Sequence, residues 1–163
     1  VGTTEELRRA PLAAASSADA VVMAAAPADF RPVGYSDEKI KKVDGTPPPV
    51  LELTANPDIA AELGARRRPG QVLVIFAAET HDAITNGAAK LARKNADLIV
   101  VNEVGPDRVF GADTNTATVL GADGFVKVLS QRPKDDLADE VWDAVVARLE
   151  PSRTDDQIVT DGP

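Results

Sequence analysis

The chain contains no cysteine and a single histidine, His81, among its 163 residues. Disulfide bonds and thiolate chemistry are therefore excluded, and a zinc site would have to rely on this histidine and on carboxylates. We expect His81 in a surface loop. No apolar run approaches the ~20 residues that a membrane-spanning helix needs, and the N-terminus lacks the layout of a signal peptide. We therefore expect a cytoplasmic protein with no membrane partner.

Positive charge is also scarce, since 18 basic residues stand against 26 acidic ones. The net charge of -8 and the sequence pI of about 4.6 disfavour nonspecific binding to nucleic acid, which we do not expect as a partner. Against this background the segment S-D-E-K-I-K-K is unusual, because it places Lys39, Lys41 and Lys42 within four residues. It is either a solvated loop or a local anion site.

Several common catalytic and nucleotide-binding signatures are missing as well. The sequence has neither the G-x-x-x-x-G-K-[ST] of a P-loop nor the G-x-G-x-x-G of a dinucleotide-binding turn. The G-x-S-x-G of a nucleophile elbow is also absent. P-loop, ordinary dinucleotide-binding and serine-hydrolase functions therefore lose support.

What the sequence does contain is a series of apolar runs separated by helical patterns. The runs at residues 20–26, 71–80 and 97–104 are typical of strands buried on both faces of a parallel sheet. After them come a predicted antiparallel hairpin over residues 114–129 and an amphipathic helix over 135–149. The predicted fold class is α/β, a Rossmann-like, mainly parallel sheet flanked by helices, with the C-terminal hairpin and helix appended.

Shorter elements complete this framework. A helix is predicted over residues 4–18, with Pro11 inside it, and a strand over V-L-E-L, residues 50–53. The A-D-F-R-P segment is interpreted as a turn. Asn56 is the predicted N-cap of a helix with Pro57 at its first position, and Thr80 or Asp82 begins the next helix. The predicted domain covers residues 1–150, and 151–163 are expected to be a disordered tail.

Polar residues stand at the carboxyl end of each predicted strand, where open α/β sheets bind their ligands. Any one of them could be a turn former or a helix cap, but their coincidence at one edge favours a site. Lys90 and Lys94 are four residues apart on a predicted helix and therefore share a face, which either is solvated or holds a polyphosphate. The polar residues at the strand ends are Asp29, Arg31, Glu79, Thr80, Asn102 and Glu103.

Six segments taken in order resemble one family. They are A-D-F-R-P, E-K-I-K-K, N-P-D-I, F-A-A-E-T, K-L-A-R-K-N-A-D-L-I-V-V-N-E-V and F-G-A-D-T-N. Together they resemble phosphopantothenoylcysteine synthetase, the synthetase half of the bifunctional bacterial coenzyme A biosynthesis flavoprotein. The resemblance covers roughly residues 18–149.

The resemblance implies a ligase that joins 4'-phosphopantothenate to cysteine, with CTP as co-substrate and Mg²⁺. In this family the substrate carboxylate first forms an acyl-cytidylate and releases pyrophosphate, and the amine of cysteine then displaces CMP. It also implies fusion to, or assembly with, a flavin-dependent decarboxylase domain. The alternative that we keep open is a noncatalytic module that only binds a nucleotide or assembles a dimer.

The family's CTP contacts carry over to positions at the strand ends, the basic loop and two helices. Lys39 is the implied catalytic residue, in a loop that would close on a phosphate, and the protein ligands of the metal stay unknown. The implied CTP contacts are Met23, Ala24, Ala25, Asp29, Lys39, Pro57, Asp58, Ile59, Ala60, Phe76, Lys90 and Lys94.

The chain departs from the family pattern in three places. Pro27 stands where a small apolar residue is frequent, and Ala55 where a basic residue is common. The first βα segment of the family, with a glycine-rich turn and an asparagine, has no counterpart here, so we expect a fragment of a longer protein. Two edges, residues 42–53 and the hairpin 114–129, favour a homodimer because exposed strand edges need covering, and the resemblance implies a dimer too. The alternative is a monomer whose own loops protect these edges.

Overall fold

The computed structural model describes residues 1–42, 44–104 and 114–149. Among these residues the elements are four helices and seven strands. In chain order they are α1 (Thr4–Ala15), β1 (Ala20–Met23), β2 (Phe30–Pro32), β3 (Leu53–Ala55), α2 (Ile59–Arg66), β4 (Val72–Glu79), α3 (Ala83–Arg93), β5 (Leu98–Glu103), β6 (Thr114–Gly121), β7 (Val126–Pro133) and α4 (Lys134–Leu149).

The main sheet has five strands in the order β1-β4-β5-β6-β7. β1 pairs in parallel with β4, and β4 in parallel with β5, whereas β6 and β7 are antiparallel additions. The predicted fold class and the C-terminal hairpin are therefore confirmed. Because the three parallel strands all end at one edge, the residues that follow them are brought close together.

Two apolar cores, one on each face of this sheet, hold the helices in place. Leu73 and Ile75 of β4 pack with α1, α2 and α3, whereas Val72 and Val74 pack with α4. The side chains of β4 alternate between the faces, as strand geometry requires, and both faces are covered. The runs at residues 71–80 and 97–104 therefore correspond to strands buried on both sides. The run at residues 20–26 is shorter in the structure, because β1 is an edge strand in which only Met23 is buried, and residues 24–26 are exposed.

The first helix is shorter than predicted, since α1 ends at Ala15 rather than at residue 18. It begins at a capping box in which Thr3 accepts a hydrogen bond from the Glu6 amide and the Glu6 carboxylate accepts from the Thr3 amide. Pro11 lies inside α1 without ending it. The helix ends where Ser16 takes over the hydrogen bonding to the Ala13 carbonyl.

The segments between β1 and α2 differ most from prediction. The A-D-F-R-P segment is not a turn, because Phe30–Pro32 forms β2 and pairs antiparallel with β3. The predicted strand at residues 50–53 is displaced to Leu53–Ala55, since its register is set by this three-residue partner. The two strands form a separate ribbon beside the main sheet.

The last two helices follow prediction more closely. Asp82 is the N-cap of α3, in a left-handed conformation with φ of 47° and without a side-chain cap bond. The buried face of α4 contains Leu137, Val141 and Val145, but Leu149, predicted on that face, is 38% exposed at the helix end. Residues 150–163, which include the predicted tail, lie outside the described residues, as does most of the F-G-A-D-T-N motif. In the described part of the chain, no helix is long and apolar enough to cross a membrane.

Candidate functional site

The candidate site is the rim formed by the carboxyl ends of β1 and β4 and the N-terminus of α2. Met23 ends β1, is buried, and pairs with Ile75, so it lies one position from Phe76 on the neighbouring strand. Ala24 and Ala25 continue past the strand as exposed backbone. The structure thus brings together the predicted residues of the first and second strand ends.

Asn56 connects the loop after β1 to the beginning of α2. Its side-chain amide donates to the Ala28 carbonyl at 2.8 Å, and its backbone amide donates to the Asp29 carbonyl at 2.8 Å. Arg31 donates through Nη1 to Asn56 Oδ1 at 3.0 Å and to the Ala55 carbonyl at 2.7 Å. Asn56 is therefore not the N-cap that we predicted, because its side chain is used to fix the loop that carries Asp29. The sequence alone assigned no such role to Arg31 and Asn56.

Asp58 is the N-cap of α2, two residues later than predicted. Its carboxylate accepts a hydrogen bond from the Ala61 amide at 3.1 Å. Burial raises the pKa of Asp58, but the Ala61 amide and the Lys94 ammonium lower it by more, so that its net pKa lies below the ordinary value. Pro57 precedes the cap, and Ile59 and Ala60 are buried in the first turn. The carboxylate and the first amides of α2 therefore lie at the rim.

Lys94 reaches this helix start from the C-terminus of α3. Its Nζ lies 3.2 Å from Asp58 Oδ1, and its side chain is only 20% exposed. The aliphatic part of such a lysine is covered by protein while the ammonium remains at the surface. Lys94 is therefore held in one place beside the N-terminus of α2.

Lys90 is held by a different carboxylate. Its Nζ lies 2.6 Å from Glu79 Oε1 at the end of β4, and the Glu79 side chain is 12% exposed. Asn86 donates to Glu79 Oε2 at 3.4 Å and to the His81 carbonyl at 3.0 Å. Lys90 and Lys94 are therefore not simply solvated, because each ammonium forms an ion pair with a different carboxylate at the rim. His81 is exposed, as expected.

Lys39 lies in the long exposed connection between β2 and β3. Among the described residues it forms no ion pair within 4.0 Å, and its neighbour Ile40 is 61% exposed. Lys42, three residues on, lies 3.9 Å from Asp44 with both side chains almost fully exposed. Within the described residues, no hydrogen bond or ion pair therefore joins Lys39 to the other predicted site residues.

A cavity of about 590 Å³ lies at the opposite end of the sheet, near the start of β4. Arg67, Arg68 and Arg148 line it, but Arg67 pairs with Asp97 and Arg148 pairs with Asp123. Its charges are thus largely compensated. Within the described residues, no group of three histidine or carboxylate side chains could hold a metal ion. The lysines of the rim are paired with carboxylates as well, so the rim is the stronger candidate because it lies at the carboxyl ends of the parallel strands, where open α/β sheets bind their ligands.

Comparison with known proteins shows the family of the chain. The family model of the DNA/pantothenate metabolism flavoprotein C-terminal domain matches residues 1–149. The coenzyme A biosynthesis bifunctional protein CoaBC of Mycobacterium bovis is 42% identical over 159 residues, which are 91% of this chain and 38% of the relative. The protein of the same name from Bacillus subtilis is 40% identical over 148 residues, 90% of this chain and 36% of the relative. The chain therefore spans less than two-fifths of the length of these relatives.

A solved structure extends the similarity to three dimensions. The crystal structure of the C-terminal domain of CoaBC matches with a TM-score of 0.73 and 30% sequence identity, over 91% of this chain and 64% of that chain. The resemblance inferred from the six sequence segments is therefore confirmed. The chain belongs to the DNA/pantothenate metabolism flavoprotein C-terminal domain family.

Proposed function

We propose that this domain joins 4'-phosphopantothenate to cysteine in coenzyme A biosynthesis, with CTP activating the carboxylate. The observation that carries the proposal is the placement of the Lys94 ammonium at the N-terminus of α2 and of the Lys90 ammonium at the carboxyl end of β4, both at the rim. The similarity to the bifunctional CoaBC proteins of coenzyme A biosynthesis supports the pathway. The CTP dependence and the acyl-cytidylate intermediate rest on the family resemblance.

The rim has the properties that a triphosphate requires. An ammonium group has three donors, so Lys90 and Lys94 can each keep a carboxylate partner and still donate to a phosphate oxygen. The first amides of α2 lack intrahelical partners, and the helix dipole favours an anion there. In a chain of net charge -8 both lysines are already paired with carboxylates, so their remaining donors and the amides of α2, rather than a net positive charge, would hold the triphosphate.

The proposed reaction has two steps. A carboxylate oxygen of 4'-phosphopantothenate attacks the α-phosphorus of CTP, forming the acyl-phosphate bond as pyrophosphate leaves. The amine of cysteine then attacks the acyl carbon, loses a proton and displaces CMP. We assign Lys39 to the first step, where its charge would stabilise the negative charge that develops on the α-phosphate.

Mg²⁺ is the implied metal, and it would shield the triphosphate charges when bound. Mg²⁺ usually retains several waters and is held by one or two carboxylates together with substrate phosphates. The described residues contain no cluster of three ligating side chains, which fits such a sparse protein contribution. We therefore expect the nucleotide to supply most of the metal's anionic ligands.

We also propose that the natural protein is a homodimer with a flavin-dependent decarboxylase domain in the same chain or assembly. The connection between β2 and β3 presents unusually exposed apolar side chains: Tyr35 is 91% exposed, Val50 88% and Leu51 67%. A second copy could bury these residues through an isologous contact. Such a contact would also order the loop that contains Lys39.

Pyrophosphate formation before the addition of cysteine tests the proposed activity. The natural protein that carries this chain is incubated with CTP, Mg²⁺ and 4'-phosphopantothenate, and pyrophosphate is followed in a single turnover. The proposal predicts a burst that requires 4'-phosphopantothenate and is much smaller when ATP replaces CTP. Tight CTP binding without any pyrophosphate would instead support the noncatalytic module.

A further inference from the structure

We propose that Gly64 and Asn95 are positioning residues that set the reach of Lys94 into the nucleotide site. This inference rests on the proposed function, because it gives a nucleotide-binding lysine its placement. We call Gly64, the Lys94 backbone and Asn95 the α2–α3 clasp. Three unusual features meet in it: a glycine inside a helix, an asparagine with left-handed backbone and a lysine that is mostly covered.

Gly64 lies within α2 although glycine is a poor helix former. A Cβ atom at this position would overlap the carbonyl oxygen of Lys94 and come within 3.1 Å of the carbonyl oxygen of Asn95. Both obstacles are backbone atoms, which cannot move aside as the end of a side chain can. Glycine is therefore required for α2 to lie this close to the end of α3.

Asn95 fixes the other side of the clasp. Its φ of 48° lies in the left-handed region, which asparagine tolerates better than most residues. Its side-chain amide donates to the Gly64 carbonyl at 2.9 Å, and its Oδ1 accepts from Arg67 at 3.4 Å. The residue directly after Lys94 is thus bonded to the residue that Lys94 packs against.

The clasp lies at one end of α2 and the Lys94 ammonium lies at the other. Gly64 follows Asp58 by six residues, which corresponds to about 9 Å along a helix. The Lys94 side chain has to span much of this distance to place Nζ 3.2 Å from Asp58 Oδ1. Because the side chain already spans much of this distance, a shift of the Lys94 backbone would also move its ammonium.

The competing explanation is that the clasp only packs two helices together. The test uses N95G, which allows the left-handed backbone but removes the bond to Gly64, and N95D, which keeps the shape but removes the donor. Each is made with and without K94A, and CTP affinity is measured by calorimetry on the natural protein. We expect N95G and N95D to weaken CTP binding about three- to tenfold, the size expected when one ordered side chain becomes mobile. With K94A present, neither should weaken it further.

Unfolding midpoints and steady-state kinetics separate positioning from stability. The matched control is V141A, which removes buried apolar volume from α4 in the core on the opposite face of the sheet from α2 and α3. It should lower the midpoint without changing CTP affinity, whereas N95G should raise the KM for CTP and leave kcat nearly unchanged. Equal losses of affinity with and without K94A would overturn the inference alone. An unchanged affinity in K94A itself would overturn both the inference and the nucleotide role of Lys94.

Discussion

The lysines of α3 and the lysine of the β2–β3 loop differ in how firmly the fold holds them. Lys90 and Lys94 are 35% and 20% exposed, and each lies within 3.2 Å of a carboxylate oxygen. Lys39 is exposed, with no ion pair among the described residues. The structure thus holds two positive charges in place and leaves the third on a loop.

This difference suggests a division of labour between the two regions. The ammonium groups of Lys90 and Lys94 are already in place, so they can bind the triphosphate in the ground state without the cost of being ordered first. A group on a loop contributes only after closure, so its interaction can be reserved for the transition state, where it raises kcat. The predictions that follow test this division, from the largest expected effect to the smallest.

The largest effect should come from Lys39→Ala. We expect the rate of pyrophosphate release to fall about 100-fold, the size seen when a group that stabilises a transition-state charge is removed. The affinity for CTP should change little, because the loop does not contribute to the preformed rim. Pre-steady-state pyrophosphate release measures the rate, and equilibrium titration measures the affinity.

Lys41→Ala is the matched control for Lys39. Lys41 lies in the same exposed loop and differs from Lys39 only by two positions. It should retain most of the pyrophosphate release rate. If both variants lose the same activity, the loop acts through its total charge and Lys39 has no special role; an unchanged rate in Lys39→Ala would remove it from the mechanism.

A smaller effect, this time on binding, is expected from Lys90→Ala and Lys94→Ala. Each should weaken CTP binding about tenfold, since a charged hydrogen bond is lost and Glu79 or Asp58 is left without its partner. The double variant should depart from additivity because the two sites are neighbours. Calorimetric titration at two salt concentrations is the measurement, and equal affinities in all variants would return both lysines to a structural role.

The proposed dimer connects the two regions, because its contact would order the loop. Leu51→Asp should dissociate the dimer and lower kcat several-fold, while CTP affinity stays near that of the parent protein. Light scattering over a dilution series, with turnover measured in parallel, follows both quantities. Val146→Asp is the control, since Val146 is also exposed but lies on α4. A monomer with full specific activity at the lowest concentration would contradict the dimer.

The smallest effect concerns the pH dependence of stability at Asp58. Its pKa is lowered in the folded protein, so the ionised carboxylate stabilises the fold above the unfolded value of 3.8, and this contribution is lost as the pH falls through the lower folded value. Between about pH 5 and about pH 2.5, the parent should therefore lose about 0.5 kcal/mol more stability than Asp58→Asn. Urea unfolding across this range would show parallel curves if the cap and the Lys94 pair contributed nothing.

The sequence predicts the main sheet well because its apolar runs reflect burial on both faces. Residues 71–80 and 97–104 correspond to β4 and β5 within two residues. Periodicity likewise identifies α4 and its end at Leu149, although the Leu149 side chain, predicted on the buried face, is exposed. These elements can be predicted because their apolar periodicity is a local property of the sequence and does not depend on how the strands pair.

The ribbon and the start of α2 are not predictable in the same way. Pro32 and Leu53 are paired across a loop of twenty residues, so no local pattern reveals the register of β2 and β3. Asn56 is a residue type that often caps helices, but its side chain bonds to Ala28 and Arg31, and Asp58 is the N-cap of α2. Equally, the spacing of Lys90 and Lys94 predicts a shared face but not that each lysine would find its own carboxylate.

The most direct test of the division of labour is a paired measurement on Lys39→Ala and Lys94→Ala. CTP affinity and the saturated rate of pyrophosphate release are determined for both variants of the natural protein. We predict a crossed pattern, in which Lys39→Ala keeps its affinity and loses its rate, whereas Lys94→Ala loses affinity and keeps most of its rate at saturating CTP. The opposite pattern, or equal losses of affinity and rate in both variants, would contradict the account.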